Sequence, residues 1–97
     1  MGKTIPLELF YAVKMAEGRC ARVCETAQKT INESLNPQTT YDYLEIFLTN
    51  SLNTALDMKT ALENETLTMG HITALNFDLE ELTMATLETA TRFGGNK

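Results

Sequence analysis

Apolar residues recur along this chain at alternating spacings of four and three, the period of a helix with one buried side. Leu9, Val13, Ala16, Cys20, Val23, Ala27 and Ile31 form a first stripe. Leu44, Phe47, Leu48, Ser51, Leu52, Ala55, Met58 and Leu62 form a second, which Leu56 widens. Ile72, Leu75, Leu79, Leu82, Thr86, Thr89 and Phe93 form a third, with Leu87 and Ala90 beside it. Acidic residues Asp78, Glu80, Glu81 and Glu88 fall on the other faces of that last segment. The stripes predict three helices, over about 5–35, 41–63 and 67–93.

The breaks between stripes have local causes. Pro37, within Asn36-Pro37-Gln38-Thr39-Thr40, biases the residue before it toward extended backbone and reads as a loop. Glu63-Asn64-Glu65-Thr66 is a second, weaker break. Thr4, Thr39 and either Thr66 or Thr68 are the expected N-caps, with Pro6, Glu8 and Asp42 suited to first turns. Gly18 marks a bend in the first helix, and the small residues midway along that stripe suggest close helix approach. Gly94-Gly95-Asn96-Lys97 reads as a stop and a disordered tail.

Short links favour antiparallel neighbours, so the expected architecture is an all-α, elongated, up-down-up three-helix bundle, one domain over residues 1–97. At about 1.5 Å per residue the first helix spans roughly 45 Å and the others about 33 to 40 Å. One end of the first helix is therefore expected to outrun its partners. In residues 5–16 only Glu8 and Lys14 are charged, while Leu7, Leu9, Phe10, Tyr11, Val13 and Met15 point almost all round the axis. A helix apolar on every side is buried on every side, and two further helices shelter only one side. The expectation is that this segment meets a second copy and that dimerisation completes the bundle.

Composition sharpens this picture. A chain of 97 residues, 43% hydrophobic, can form a packed core and does not match a disordered class. Fifteen threonines are unusual for helices, so packing rather than propensity must supply stability. The net charge is −5 and uneven: five Lys/Arg oppose four Glu up to Asn36, and three oppose nine Asp/Glu from Pro37 onward. That balance argues against nucleic acid, whose phosphates call for a basic surface. No apolar run approaches the roughly 18 residues of a membrane span, and Glu8 and Lys14 interrupt the stretch that superficially resembles a signal peptide. Cys20 and Cys24 are too few for a secreted disulfide framework, so the expected compartment is cytoplasmic.

Candidate chemistry is sparse. His71, the single histidine, lies near the start of the third helix. A lone helical histidine in a small acidic bundle resembles histidine phosphotransfer domains, which implies a phosphorelay role. Those domains place a Lys and a small residue after the histidine; here Ile72, Thr73, Ala74 and Leu75 follow, with no cation until Arg92. A di-iron bundle needs paired Glu-x-x-His motifs, and structural zinc needs four ligands, which one histidine and two cysteines do not supply. The cysteines read as small residues of a helix seam. Ser34 and Ser51 have no adjacent base, no glycine-rich phosphate loop is present, and Asp78, Glu80 and Glu81 read as a solvated face.

Aromatic residues give the last signal. Phe10 and Tyr11 open the first helix, while Tyr41 and Tyr43 open the second, at opposite ends of an up-down bundle. Such residues are enriched at interface cores. The expected function is a non-catalytic interaction module, a regulator, adaptor or inhibitor acting as a homo-oligomer. Its partners would be itself and another, unidentified protein, with no cofactor, metal, nucleic acid or membrane. The expected contact residues are Leu9, Phe10, Tyr11, Val13, Met15, Tyr41 and Tyr43. Two alternatives stand beside it: phosphorelay through His71, and a small-ligand pocket between protomers lined by Phe10, Tyr11 and Met15.

Overall fold

In the computed structural model, residues 5–93 are described, and three helices dominate them: α1 (Leu7–Glu33), α2 (Pro37–Glu63) and α3 (Met69–Phe93). The proposed Thr4 cap and the tail 94–97 lie outside the described residues. Each helix packs against both others.

The core falls into two clusters. One joins Val13 and Ala16 near the start of α1 to Met58 and Ala61 near the end of α2, and to Leu67, Ile72, Leu75 and Leu79 leading into and along α3. The other joins Ala27 and Ile31 of α1 to Leu44 of α2 and to Leu82 and Ala85 of α3. The start of α1 therefore meets the end of α2 and the start of α3, which is the up-down-up order. The inward residues keep the spacing read from the sequence, with exceptions on α2 and α3; Leu87 and Ala90, expected beside the third stripe, are exposed, and the side chain of Phe93 lies outside the description. Leu52 and Leu56 were placed on the inner face and are exposed. Leu44, Ser51 and Met58, each seven apart and fully buried, define the inward line of α2. A residue one position along from Ser51 is rotated about 100° away from it, and Leu56 lies on the outer side.

The bundle measures 56 × 19 × 16 Å with a radius of gyration of 15.5 Å, against about 13 Å for a compact chain of this length. The helices contain 27, 27 and 25 residues, so α1 does not outrun its partners as expected. Its start is set at Pro6 and its end at Ser34, whose amide and hydroxyl both donate to the Ile31 carbonyl, at 3.2 and 2.8 Å. The helix continues through Gly18. A Cβ there would meet only the Arg22 guanidinium, at 3.4 Å, so no neighbouring helix approaches at that point.

Pro37 begins α2 instead of preceding it, a correction of four residues to the expected start at 41. Proline fits the first helical position because its missing N–H has no helical partner there. Asn36 takes the capping role assigned to Thr39, and its side-chain oxygen accepts from the Thr39 amide at 3.2 Å. At the other end of α2, Glu65 donates its amide to Leu62 and Thr66 donates its amide to Ala61, at 3.2 and 2.8 Å. This paired closure requires a left-handed residue, and Glu65 adopts φ 62°, a conformation that glycine adopts without strain.

Buried hydroxyls are treated unequally. Thr86 donates to Leu82 at 2.7 Å, and Thr89 donates to Ala85 and Thr86 at 3.0 and 2.8 Å. The hydroxyls of Thr40 and Ser51 are enclosed with no hydrogen-bond partner among the described residues.

Candidate interaction surfaces

α1 turns its small and branched residues inward, and this leaves an apolar ridge outward. Leu7, Tyr11 and Met15 follow one another at spacings of four and are 65%, 60% and 75% exposed. The other residues named on this segment go elsewhere. Val13 is fully enclosed by its own chain and is not on the surface, and Leu9 packs against the same core cluster. Phe10 lies at the edge of exposure, with the Lys14 ammonium 5.4 Å from its ring centroid, a cation–π contact. Phe10 and Met15 are five residues apart and point about 140° apart around the axis, so they do not converge on one pocket.

Beside the ridge, Met15, Ala12 and Ala16 of α1 face Met69, Ile72 and Asn76 of α3 across a hollow of about 340 Å³. Arg19 bridges it, donating to the Asn76 side-chain oxygen at 3.2 Å. Met69, exposed at the start of α3, extends the apolar surface of α1 across the groove.

The tyrosines of α2 stand at the far end, as the topology requires. Tyr41 is partly exposed. The Tyr43 hydroxyl donates to Glu88 at 3.1 Å, and its ring lies 6.0 Å from that of Phe47 at an interplanar angle of 51°. Donation to the Glu88 carboxylate, then desolvation, raises the Tyr43 phenol above its ordinary value. Glu88 also pairs with Arg92 at 3.2 Å. Tyr43, Phe47, Met84 and Ala85 line a hollow of about 370 Å³ rimmed by Glu81 and Glu88.

A further apolar surface lies on α3, made by Phe77 and Met84, which the sequence reading did not single out, and by Leu87, which it set beside the inner stripe. Phe77, Met84 and Leu87 are 63%, 63% and 65% exposed. Phe77 and Met84 were hidden in a segment whose other apolar residues are almost all core. The signal that could have found them is their offset: Phe77 follows Leu75 by two positions and Met84 follows Leu82 by two, which turns each about 200° from the buried line.

His71 is engaged at the helix start. Its Nδ1 accepts from the Thr68 amide at 3.0 Å and lies 3.2 Å from the Thr68 hydroxyl, while the His71 amide donates to the Thr68 carbonyl at 3.1 Å. The imidazole thus fills the place that Glu or Gln takes in a capping box, reaching back to the N-cap amide. An accepting Nδ1 requires the neutral ring with its proton on Nε2.

Cys20 and Cys24 are free and half-buried. Burial pushes the Cys24 thiol up to about 11, and the neighbouring Cys20 adds to the shift. That thiol stays protonated at neutral pH, unlike a metal-binding or nucleophilic thiolate. Among the described residues no group of three His, Cys, Asp or Glu side chains is placed to hold a metal ion. No helix of the described residues is long and apolar enough to cross a membrane.

Fold and surfaces together define an all-helical three-helix bundle with apolar ridges on more than one outer face. No family model, curated protein or solved structure matches the chain.

Proposed function

We propose that this protein is a non-catalytic interaction module that associates with a second copy of itself through the outer face of α1. The observation that carries the reading is the ridge of Leu7, Tyr11 and Met15, a contiguous apolar line on a helix whose opposite side is already packed. Charge favours a second copy on this face. α1 carries four acidic and four basic residues, whereas α2 and α3 each carry four acids against one base. Two copies of an acidic chain repel least where their contact faces are neutral. Area is compatible: with about 200 Å² for a large side chain, Leu7, Tyr11, Met15 and Met69 leave roughly 500 Å² exposed. Two such faces together come to about 1,000 Å², the smallest size expected of a specific interface.

Sedimentation velocity from about 1 to 100 µM tests this through mass action. The wild type should shift toward dimer mass with concentration. The double variant Tyr11→Glu/Met15→Glu should remain monomeric, with the helical content of the wild type by circular dichroism. A wild-type chain that stays monomeric across the range overturns the proposal.

A further inference from the structure

We propose that the outer ridge of α3, with the hollow it shares with the start of α2, docks a basic amphipathic helix from another protein. The inference rests on reading the chain as an interaction module but not on its self-association, so its test can fail independently.

The ridge is apolar where it could have been polar. Leu75, Leu79, Leu82, Thr86 and Thr89 occupy the inner face of α3, so Phe77, Met84 and Leu87 do not contribute to the core. Met84 lies seven residues beyond Phe77 and three before Leu87, the spacing of one helical ridge. Next to it the hollow lined by Tyr43 and Phe47 gives about 370 Å³, room for a large apolar side chain.

Charge identifies the occupant. The same ridge carries Glu80 and Glu81, both exposed and without an ion pair among the described residues, and Glu88, which Arg92 already partners. α3 holds no cation before Arg92. A second copy of this chain offers that face no helix with a surplus of positive charge, since its α1 is neutral overall and its α2 and α3 are acidic. An acidic or neutral helix would strip water from Glu80 and Glu81 with nothing to replace it. A helix with Leu or Met on one side and Lys or Arg flanking it would fill the hollow and pair both carboxylates. Association of this kind weakens with salt.

Fluorescence anisotropy of the full chain with a labelled amphipathic peptide of about 18 residues, leucines on one face and lysines on the other, tests the proposal. Its length covers five turns of helix. Saturable binding in the range of about 1 to 10 µM is expected. Phe77→Ser/Met84→Ser and Glu80→Lys/Glu81→Lys should each weaken it about tenfold or more, the second also flattening the salt dependence. Leu56→Ser, on an exposed part of α2, should leave it within about twofold. A peptide of the same composition with its lysines and leucines scrambled should bind far more weakly. If the scrambled peptide binds equally well, the interaction is bulk charge and the proposal fails. It fails equally if no saturable binding occurs, or if neither double variant changes affinity. Circular dichroism shows whether each variant is folded, and where only one double variant folds, that one decides.

Discussion

The core at the Val13 end of the bundle is the larger cluster, Met58, Leu67, Ile72, Leu75 and Leu79 packed with Val13, Ala16 and Ala61. At the Ala27 end the cluster is smaller, Leu44, Leu82 and Ile31 with Ala27 and Ala85, and Thr40, Thr86 and Thr89 are enclosed nearby, while Ser51 lies between the two. The same three helices thus make an oily end and a threonine-rich end. Each apolar side chain at the first end displaces water without any polar atom to satisfy. At the second, part of the gain is spent on enclosing oxygens, two of which recover it through helix carbonyls while Thr40 does not. The surfaces differ in parallel: the ridge of α1 flanks the oily end, and the acidic hollow of Tyr43 and Phe47 opens beside the other.

Truncating a core leucine at each end is the most severe test of this contrast. Leu75→Ala should lower the unfolding free energy by about 3 kcal/mol, from lost transfer energy and a cavity bounded by large neighbours. Leu82→Ala, in the smaller cluster, should cost about 2 kcal/mol. Urea unfolding at constant m-value measures both. Equal losses would dissolve the distinction between the ends.

Thr40 offers the reverse test. Thr40→Val removes a hydroxyl that is enclosed without a partner, and should raise stability by about 1 to 2 kcal/mol. Thr89→Val removes a hydroxyl that already donates to Ala85 and Thr86, and should give no gain. A loss on Thr40→Val would mean that its oxygen is satisfied in solution, and that the far end is better built than its geometry indicates.

How much of this was legible beforehand depends on what kind of fact each residue records. The inward stripe of α1, from Val13 to Ile31, and that of α3, from Ile72 to Thr89, follow from periodicity because a helix has a fixed angular step. The start of α2 did not, because Pro37 carries two opposite meanings: it breaks a helix from within and opens one at its first turn. Only Asn36, placed to accept from Thr39, selects between them. Leu52 and Leu56 misled because their stripe is broader than the surface two partners can cover. On the surfaces, the apolar character of α1 was visible as a run of sequence, but Val13 and Met15 could be separated into core and ridge only once the facing helices were in place. Phe77 and Met84 were masked by apolar neighbours that belong inside, and Leu87, one position past Thr86, reads as a flank of the inward stripe but faces out.

Cys20 and Cys24 mark the join between the two ends, one packing on each cluster, and they allow that join to be tested by pH. The Cys24 thiol holds its proton up to about 11 when folded, against an ordinary value of 9.0. Below about pH 9 both states keep the proton, and the full contribution is present. Between about 9 and 11 the unfolded chain ionises and the folded chain does not, so stability falls as pH rises. Because the thiol is only partly buried, solvent screening should hold the loss to no more than about 1 kcal/mol. The difference between wild type and Cys24→Ala, followed by thermal unfolding from pH 8 to 11, isolates it from other groups that titrate there. A difference that does not change with pH would place the thiol in water and open the join.

Gly18 gives the smallest effect and bears on both the seam and the ridge. It sits inside α1, where glycine is worth about 1 kcal/mol less than alanine because of the backbone entropy it loses on folding. Nothing packs where its Cβ would be except the far end of the Arg22 side chain, at 3.4 Å, and that flexible group can move aside. Gly18→Ala should therefore stabilise dilute protein by about 0.5 to 1 kcal/mol in urea unfolding. The same variant should be examined at the concentrations where self-association is sought, because Gly18 follows Met15 by three residues and so borders the apolar ridge of α1. A gain that persists there would place the dimer contact toward Leu7 and Tyr11, beside the oily end. A gain that disappears on concentration would place Gly18 within the contact, extending the self-association face toward the middle of the bundle. A loss in dilute solution would show that another part of the chain approaches Gly18, and that the seam between the two ends is tighter than its backbone allows here.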